Sequence, residues 1–503
     1  MAAPEIPIAP VAGHAPSSIR VLADQAFSRA AGAPLIAGNS IRLLRDAEEN
    51  YPAWKKAIRE ARRTVHFESY IIHDDAIGRE FATLLAEKAR EGVQVRVLYD
   101  WMGAIARSGW SFWRRLRRAG VEVRCFNPPR VDSAFGWFSR DHRKTIIVDN
   151  QIAFVTGLCV GQAWAGYPER RIAPWRDTGV SIEGPAVPEV ERAFASTWAT
   201  CGAPLPQSDH GNCGPAFAAA GDVALRIIAT QPGVASMYRM DQLVAAVARE
   251  SIWLTDAYFL GTSSYVQALC AAAADGVDVR LLLPRAADVP FIRAVSRAGY
   301  RTLIDAGVRI FEWNGPMLHA KTAVADGRWA RVGSTNLNIA SWVSNWELDV
   351  IIEDEGFAGE MQAMYLDDLS HATEIVLSAR HHPSPIVPRR MRSRPRGAAL
   401  GSANSAAKGV LRFGKALGAA VTHSRVLGPA EAFAMLSGGL LLLGLVAAAV
   451  LLPRVVAGVL AFVAAWMALT LLVQAWRLHF PRKKPVEHSG DDEGSPPAPS
   501  GPP

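Results

Sequence analysis

The chain repeats itself once, over a long period. Gly92-Val93-Gln94-Val95-Arg96-Val97-Leu98 returns as Gly276-Val277-Asp278-Val279-Arg280-Leu281-Leu282, and Arg118-Ala119-Gly120-Val121 returns as Asp305-Ala306-Gly307-Val308. The apolar-rich runs Thr64-Val65-His66-Phe67-Glu68 and Ser251-Ile252-Trp253-Leu254-Thr255 stand at matching points upstream. The offset stays nearly constant and is far longer than a solenoid repeat, so it implies a duplicated domain with changes in loop length.

The same offset relates two chemical motifs. His142-Arg143-Lys144 is followed by Asp149, and His319-Ala320-Lys321 is followed by Asp326 and then by Gly333-Ser334-Thr335-Asn336. One His-x-Lys in isolation is usually a solvated strand face. Two copies in register with a duplication imply one active site assembled from two halves, each giving a histidine and a lysine to one phosphate.

Each half alternates strand-like and helix-periodic runs, which predicts α/β layers around a largely parallel central sheet. The motifs themselves fall on hairpins. Thr145 to Val148 and Ile152 to Val155 flank Asp149-Asn150, while Thr322 to Ala325 and Trp329 to Val332 flank Asp326-Gly327. Residues i and i+2 of a strand share a face, so His142 projects with Lys144 and His319 with Lys321. The imidazole can attack phosphorus while the ammonium neutralises its oxygens. Asp149 and Asp326 belong to the same catalytic motif, but at turns an aspartate caps its own backbone, so both are expected to be architectural.

These residues resemble the phospholipase D superfamily over about Asn39 to Ser378, and within it bacterial cardiolipin synthases. Further stretches that carry the resemblance are Phe67-Glu68-Ser69-Tyr70-Ile71, Trp175-Arg176-Asp177-Thr178 and Ile182-Glu183-Gly184-Pro185-Ala186-Val187. The resemblance implies duplicated phospholipase D-like α/β domains that form one active site at their interface. It also implies a two-step transfer that needs no metal or cofactor. One histidine, expected to be His142, attacks the phosphodiester, and the other, His319, serves as acid and then base. Lys144, Lys321, Ser334 and Asn336 would hold the phosphate. The first motif departs from the family pattern, because Thr156-Gly157-Leu158-Cys159 puts a thiol where an amide is usual.

Each imidazole needs a carboxylate to fix its tautomer. Asp177 and Glu347 occupy aligned places downstream of the two motifs and are the expected partners, with Glu68 a further candidate near the site. Arg114-Arg115-Leu116-Arg117-Arg118 is expected to be a solvated helix face. His73-Asp74-Asp75 and His381-His382 carry no assigned chemistry.

Length leaves room for more than the two halves. The 503 residues divide into an N-terminal tail (1–38), the halves (39–202 and 223–380) joined by a linker (203–222), a basic linker (381–428), two apolar spans (429–478) and a disordered tail (479–503). Ala432 to Leu452 and Val455 to Trp476 are free of charge, and each is long enough to span a bilayer as one arm of a C-terminal transmembrane helical hairpin. Basic residues outside both ends put the catalytic domain on the cytoplasmic side of the inner membrane. Five scattered cysteines suggest no disulfide framework, and the net charge of +7 suits an acidic partner. The expected partners are therefore the membrane and anionic phospholipid, phosphatidylglycerol above all, with no nucleic acid. A pseudo-twofold site permits a monomer. The expected reaction makes cardiolipin from phosphatidylglycerol. The alternatives are hydrolysis to phosphatidic acid and, further off, a nucleic-acid phosphodiesterase.

Overall fold

The computed structural model describes residues 18–129, 139–206 and 218–376 (287 and 289 apart), with scattered positions from 443 to 472. The first copy of the repeat forms β1 (Ile36–Arg45), β2 (Thr64–Ser69), β3 (Gln94–Asp100), β4 (Glu122–Phe126), β5 (Lys144–Val148), β6 (Ile152–Thr156) and β7 (Thr178–Glu183). The second forms β8 (Val223–Thr230), β9 (Ser251–Thr255), β10 (Asp278–Pro284), β11 (Arg309–Trp313), β12 (Thr322–Ala325), β13 (Trp329–Gly333) and β14 (Glu347–Ile352), and adds β15 (Ala372–Ile375). The helices of the first half are α1 (Ser18–Ala31), α2 (Asp46–Glu60), α3 (Ala76–Arg90), α4 (Trp101–Ala104), α5 (Trp110–Arg118), α6 (Gln162–Ala165) and α7 (Val187–Thr200). Those of the second are α8 (Ser236–Val247), α9 (Ser263–Ala274), α10 (Pro290–Asp305) and α11 (Glu355–Ser370).

Among the described residues the strands form one 15-stranded sheet, in the order β15-β11-β10-β9-β12-β13-β14-β8-β1-β7-β6-β5-β2-β3-β4. Outward from the central β8–β1 pair, both halves follow the same path. The duplication is thus written into the topology, and the halves meet edge to edge where Ile36 faces Leu225.

The sheet is not largely parallel. Only β2–β3, β3–β4, β9–β10 and β10–β11 run parallel, the remaining pairs being antiparallel. Parallel neighbours need a crossover connection, and each of those pairs is joined through helix. The motif hairpins turn too tightly for one. Asp149 and Asn150 (φ 53° and 56°) and Asp326 and Gly327 (φ 50° and 61°) are left-handed and sit in three-residue loops, since Val148 pairs with Ile152 and Ala325 with Trp329.

Helices cover the sheet in register with its strands. In α3, Asp75 caps the first turn through the Gly78 N–H (2.9 Å), and Phe81, Leu84 and Leu85 face inward. The outer core of the first half gathers Trp54, Phe67 and Phe81, and that of the second gathers Met240, Leu269 and Leu303. A third core is common to both halves. Val180, Phe194 and Trp198 of the first pack there with Val332, Val350 and Met361 of the second. The halves are therefore fused through a shared interior as well as along the sheet.

The stretch 1–38 is not wholly a tail. α1 packs on the second half, where Ala31 is buried and Ser28 Oγ accepts from the Arg226 guanidinium at 2.6 Å. Its alanines, which suggested loose chain, are also the strongest helix formers. Residues 207–217 of the linker, the basic stretch 381–428 with His381-His382, and the tail 479–503 lie outside the described residues. So does much of the expected hairpin, whose described positions from Leu443 to Leu472 are helical except Leu452. No helix among the described residues is long and apolar enough to cross a membrane.

Candidate active site

Both His-x-Lys segments lead into a strand, Lys144 opening β5 and Lys321 standing just ahead of β12, and the residue before each histidine is bridged to the opposite half. The His142 N–H donates to the Trp346 carbonyl (2.9 Å), and the Trp346 N–H donates to the Arg140 carbonyl (2.8 Å). In the other copy His319 N–H donates to the Arg176 carbonyl (2.7 Å), and Arg176 N–H to that of Met317 (2.8 Å).

These bridges deliver the next residue of each partner segment to an imidazole. His142 Nδ1 lies 2.9 Å from Glu347 Oε2, and His319 Nδ1 lies 2.7 Å from Asp177 Oδ2. The two expected carboxylates do meet the histidines, and they do so crosswise. A carboxylate on Nδ1 keeps the proton there and leaves the Nε2 lone pair free to react.

The lysines are buried behind the rings. Lys144 donates to the carbonyl of His142 and lies 5.4 Å over the Tyr70 ring, whose centroid is 5.1 Å from that of His142. Lys321 donates to the carbonyl of His319 and lies 5.8 Å over Tyr258, which stands 6.0 Å from His319. Each half thus sets one tyrosine against its own His/Lys pair.

Charge and burial compete here. Burial holds both imidazoles below the ordinary histidine range; the nearby ammonium groups push the same way, and His319 falls to about 4. Burial alone would raise Asp177 and Glu347, but the facing imidazoles and lysines outweigh it and keep both low. Burial, with Lys144 nearby, brings Lys321 down to about 8. Each motif therefore sits within electrostatic reach of the other, and the four basic side chains form one cluster suited to an anion.

The remaining site residues divide. Ser334, expected on the phosphate, instead donates from Oγ to Glu347 Oε2 (2.6 Å), the oxygen that holds His142. Asn336 is buried with no side-chain hydrogen bond among the described residues, so its amide is unengaged. In the first half a serine could not stand at the matching Gly157, where a Cβ would come within 2.1 Å of Asp177 Oδ1. Trp164 Nε1 takes over that function, donating to Asp177 Oδ2 at 3.1 Å. Cys159 is buried in the apolar outer core, and burial raises its thiol above the usual range.

Asp149 and Asp326 are placed away from the chemistry, at the far ends of the hairpins. They cap neighbouring backbone rather than their own. Asp149 accepts from the N–H groups of Arg62, Arg63 and Thr64 at 2.8 Å each, and Asp326 from those of Arg249, Glu250 and Ser251 at 2.8–3.2 Å. Glu68 touches neither histidine. It accepts from Thr145 Oγ1 (2.9 Å) and lies beside Arg143 and Asp141.

Arg143, passed over in the sequence, is a bolt between halves. It donates to the carbonyls of Glu347 (3.1 Å), Ala193 (2.7 Å) and Thr230 (3.1 Å) and to Thr197 Oγ1 (2.8 Å). Its place between His142 and Lys144 was the available signal, since alternation turns it to the opposite face. Trp164 and Trp175 lie 5.6 and 5.9 Å from the His319 ring; Trp175 stood in a stretch that carried the resemblance, whereas Trp164 had no comparable signal.

Known proteins share this sequence and architecture. Residues 54–162 and 244–369 match the family model described as cardiolipin synthase, PLD-like domain. The chain is 33% identical over 367 residues to cardiolipin synthase A of Pseudomonas syringae, covering 71% of this chain and 74% of that one. It is 35% identical over 352 residues to the same enzyme of Pseudomonas fluorescens, covering 68% and 71%. The chain belongs to the phospholipase D superfamily.

It is a cardiolipin synthase-like member of that superfamily and an enzyme of the phosphatidyltransferase type. A crystal structure of phosphatidylserine synthase from Haemophilus influenzae shares the phospholipase D fold, with a TM-score of 0.55 at 14% identity, over 71% of this chain and 94% of that one.

Proposed function

We propose that the enzyme joins two phosphatidylglycerol molecules into cardiolipin and glycerol, at a membrane, through a phospho-histidine. The reading rests above all on the crossed histidine–carboxylate pairs, which occupy both Nδ1 atoms and leave both Nε2 atoms available, with Lys144 and Lys321 in electrostatic reach of the two rings. His142 Nε2 attacks phosphorus, and the bond to the glycerol headgroup breaks as His319 gives its proton to the departing oxygen. His319 then takes the proton of an incoming lipid hydroxyl, which attacks phosphorus and releases His142. The bound phosphodiester anion supplies the charge that lets His319 hold a proton at neutral pH, against the pull of burial. Lys144, Lys321 and the Asn336 amide meet the charge that builds on the equatorial oxygens.

Low exposure at the site favours transfer over hydrolysis. His142 is 8% exposed and His319 6%, so both imidazoles are largely shielded from bulk water. The apolar runs Ala432 to Leu452 and Val455 to Trp476 support a tether at the cytoplasmic face of the inner membrane.

The test uses full-length protein in mixed micelles of phosphatidylglycerol, with lipid products followed by mass spectrometry. Cardiolipin and glycerol are expected from the wild type and from neither His142→Ala nor His319→Ala. Phosphatidic acid as the sole product would replace this reading with a hydrolase.

A further inference from the structure

We propose that α5 and the turn leading into it are a docking face for an anionic phospholipid surface, set at the rim of the active site. The inference rests on the reading of phospholipid as substrate and adds how the catalytic unit meets the bilayer.

The helix has one face committed to the protein. Phe112, Trp113 and Leu116 are buried, and Trp113 stacks on Tyr99 with ring centroids 3.7 Å apart. The other face carries Arg114, Arg115, Arg117 and Arg118, all exposed. A solvated basic face needs no explanation by itself. The apolar side chains beside it do. Trp110 is 69% exposed and Ile105 51%, two large apolar groups set among arginines on one stretch of surface.

Charge complementarity indicates what covers them. From Trp101 to Val121 the chain carries Arg107 and the four arginines of α5 and not one carboxylate. Arg115 reaches Asp74 at 3.5 Å, and Arg117 donates to the Val123 carbonyl at 3.2 Å. Arg114 and Arg118 have no carboxylate partner among the described residues. The Arg114 guanidinium lies 4.3 Å over the Trp110 ring, which fixes cation and aromatic group side by side. Tryptophan and aliphatic groups at headgroup depth, with arginines on the phosphates, are the composition of a protein surface that rests on a bilayer. A nucleic-acid backbone would leave Ile105 without a partner.

The turn leading into α5 is tied to the site. Asp100 caps α4 through the Met102 N–H (2.7 Å) and also accepts the N–H of Asp141 (2.9 Å), the residue before His142. Gly103 presses on the carbonyl of Tyr70, so closely that a Cβ would be 1.9 Å from it, and Tyr70 is the ring beside His142. Ile105 follows two residues later. On the second half Ile339 (58% exposed) and Val343 (37%) come just after Asn336, so each copy of the repeat carries exposed apolar groups a few residues from a site segment.

The experiment places the full-length chain in nanodiscs of phosphatidylcholine, with or without phosphatidylglycerol, and follows hydrogen–deuterium exchange over residues 105–118. Exchange there is expected to slow severalfold only when phosphatidylglycerol is present, and Trp110→Ala combined with Arg114→Gln and Arg118→Gln is expected to abolish the difference. In micelles, the same variant is expected to raise the apparent KM for surface phosphatidylglycerol about tenfold. Its kcat, and its activity on monomeric short-chain phosphatidylglycerol, should stay unchanged. Equal exchange in both discs, an unchanged surface KM, or stronger protection by an RNA oligomer than by phosphatidylglycerol overturns the proposal. Protection without any phosphatidyl transfer upholds the docking face and removes the proposed function instead.

Discussion

His319 Nδ1 and Asp177 Oδ2 lie 2.7 Å apart across the boundary between the two copies of the repeat. The counterpart, His142 on Glu347, crosses in the opposite direction. Loss of either carboxylate should therefore silence the histidine of the other half. Asp177→Asn and Glu347→Gln keep size and most packing, and each is expected to lower the transfer rate roughly 10²–10⁴-fold by freeing the wrong tautomer. Product analysis, with circular dichroism to confirm folding, checks this. Full activity in either variant would remove that carboxylate from the mechanism.

Lys321 predicts an alkaline limb. Its ammonium is pushed down to about 8 in the free enzyme, chiefly by burial, and an anionic substrate binds the protonated form. The sign follows: raising the pH above 8 removes the Lys321 charge before substrate arrives. kcat/KM is expected to fall roughly tenfold per pH unit above about 8, while Lys321→Arg should stay flat over the same range. A wild-type profile level to pH 9.5 contradicts the assignment.

Asp149 separates architecture from chemistry. Its carboxylate accepts three backbone N–H groups where the chain enters β2. Asp149→Ala should lower the unfolding free energy by about 1–3 kcal/mol. The fraction that remains folded should turn over at close to the wild-type rate. Denaturant titration beside active-site-normalised rates distinguishes the two, and a lost rate at unchanged stability would return Asp149 to the catalytic set.

The halves should respond unequally to substitution at matched positions. Asn336 offers an unengaged amide, whereas Cys159 is a protonated thiol packed among apolar groups. Asn336→Ala is expected to cost about 10²-fold in kcat, as removal of a preorganised donor does. Cys159→Ala should cost less than about tenfold, because it trims a small core side chain. Equal losses would mean that the thiol contacts substrate.

Trp164 tests the odd donor of the first half. Trp164→Phe keeps the ring against His319 but deletes the N–H on Asp177. A less well-held carboxylate should shift the acid limb of the rate profile, with little change in thermal unfolding. If thermal unfolding shifts and the pH profile does not, the contact is one of packing alone.

Local features of this molecule were legible in its sequence. The hairpins around Asp149-Asn150 and Asp326-Gly327 follow from alternation and turn chemistry, which act over a few residues. The duplicated unit followed from a repeat that needs no structural knowledge. Strand direction was misjudged because the direction of a neighbour depends on which strands a hairpin rejoins, and apolar alternation carries no sign of that. The helix at Ser18–Ala31 was hidden by prolines and alanines that suit a loose tail equally well. The carboxylates were legible as a pair. Their exchange between halves was not, because His142 and Glu347 are 205 residues apart and nothing local to either names the other.

That exchange bears on how the protein is made. The first half leaves the ribosome with His142, Lys144 and Tyr70 but without Glu347, which is still untranslated. Its histidine has no carboxylate to fix its tautomer, and the backbone partner of its N–H, Trp346, does not yet exist. The proposed nucleophile is thus kept without its orienting carboxylate until the last strands of the second half fold into place, when both crossed pairs can form.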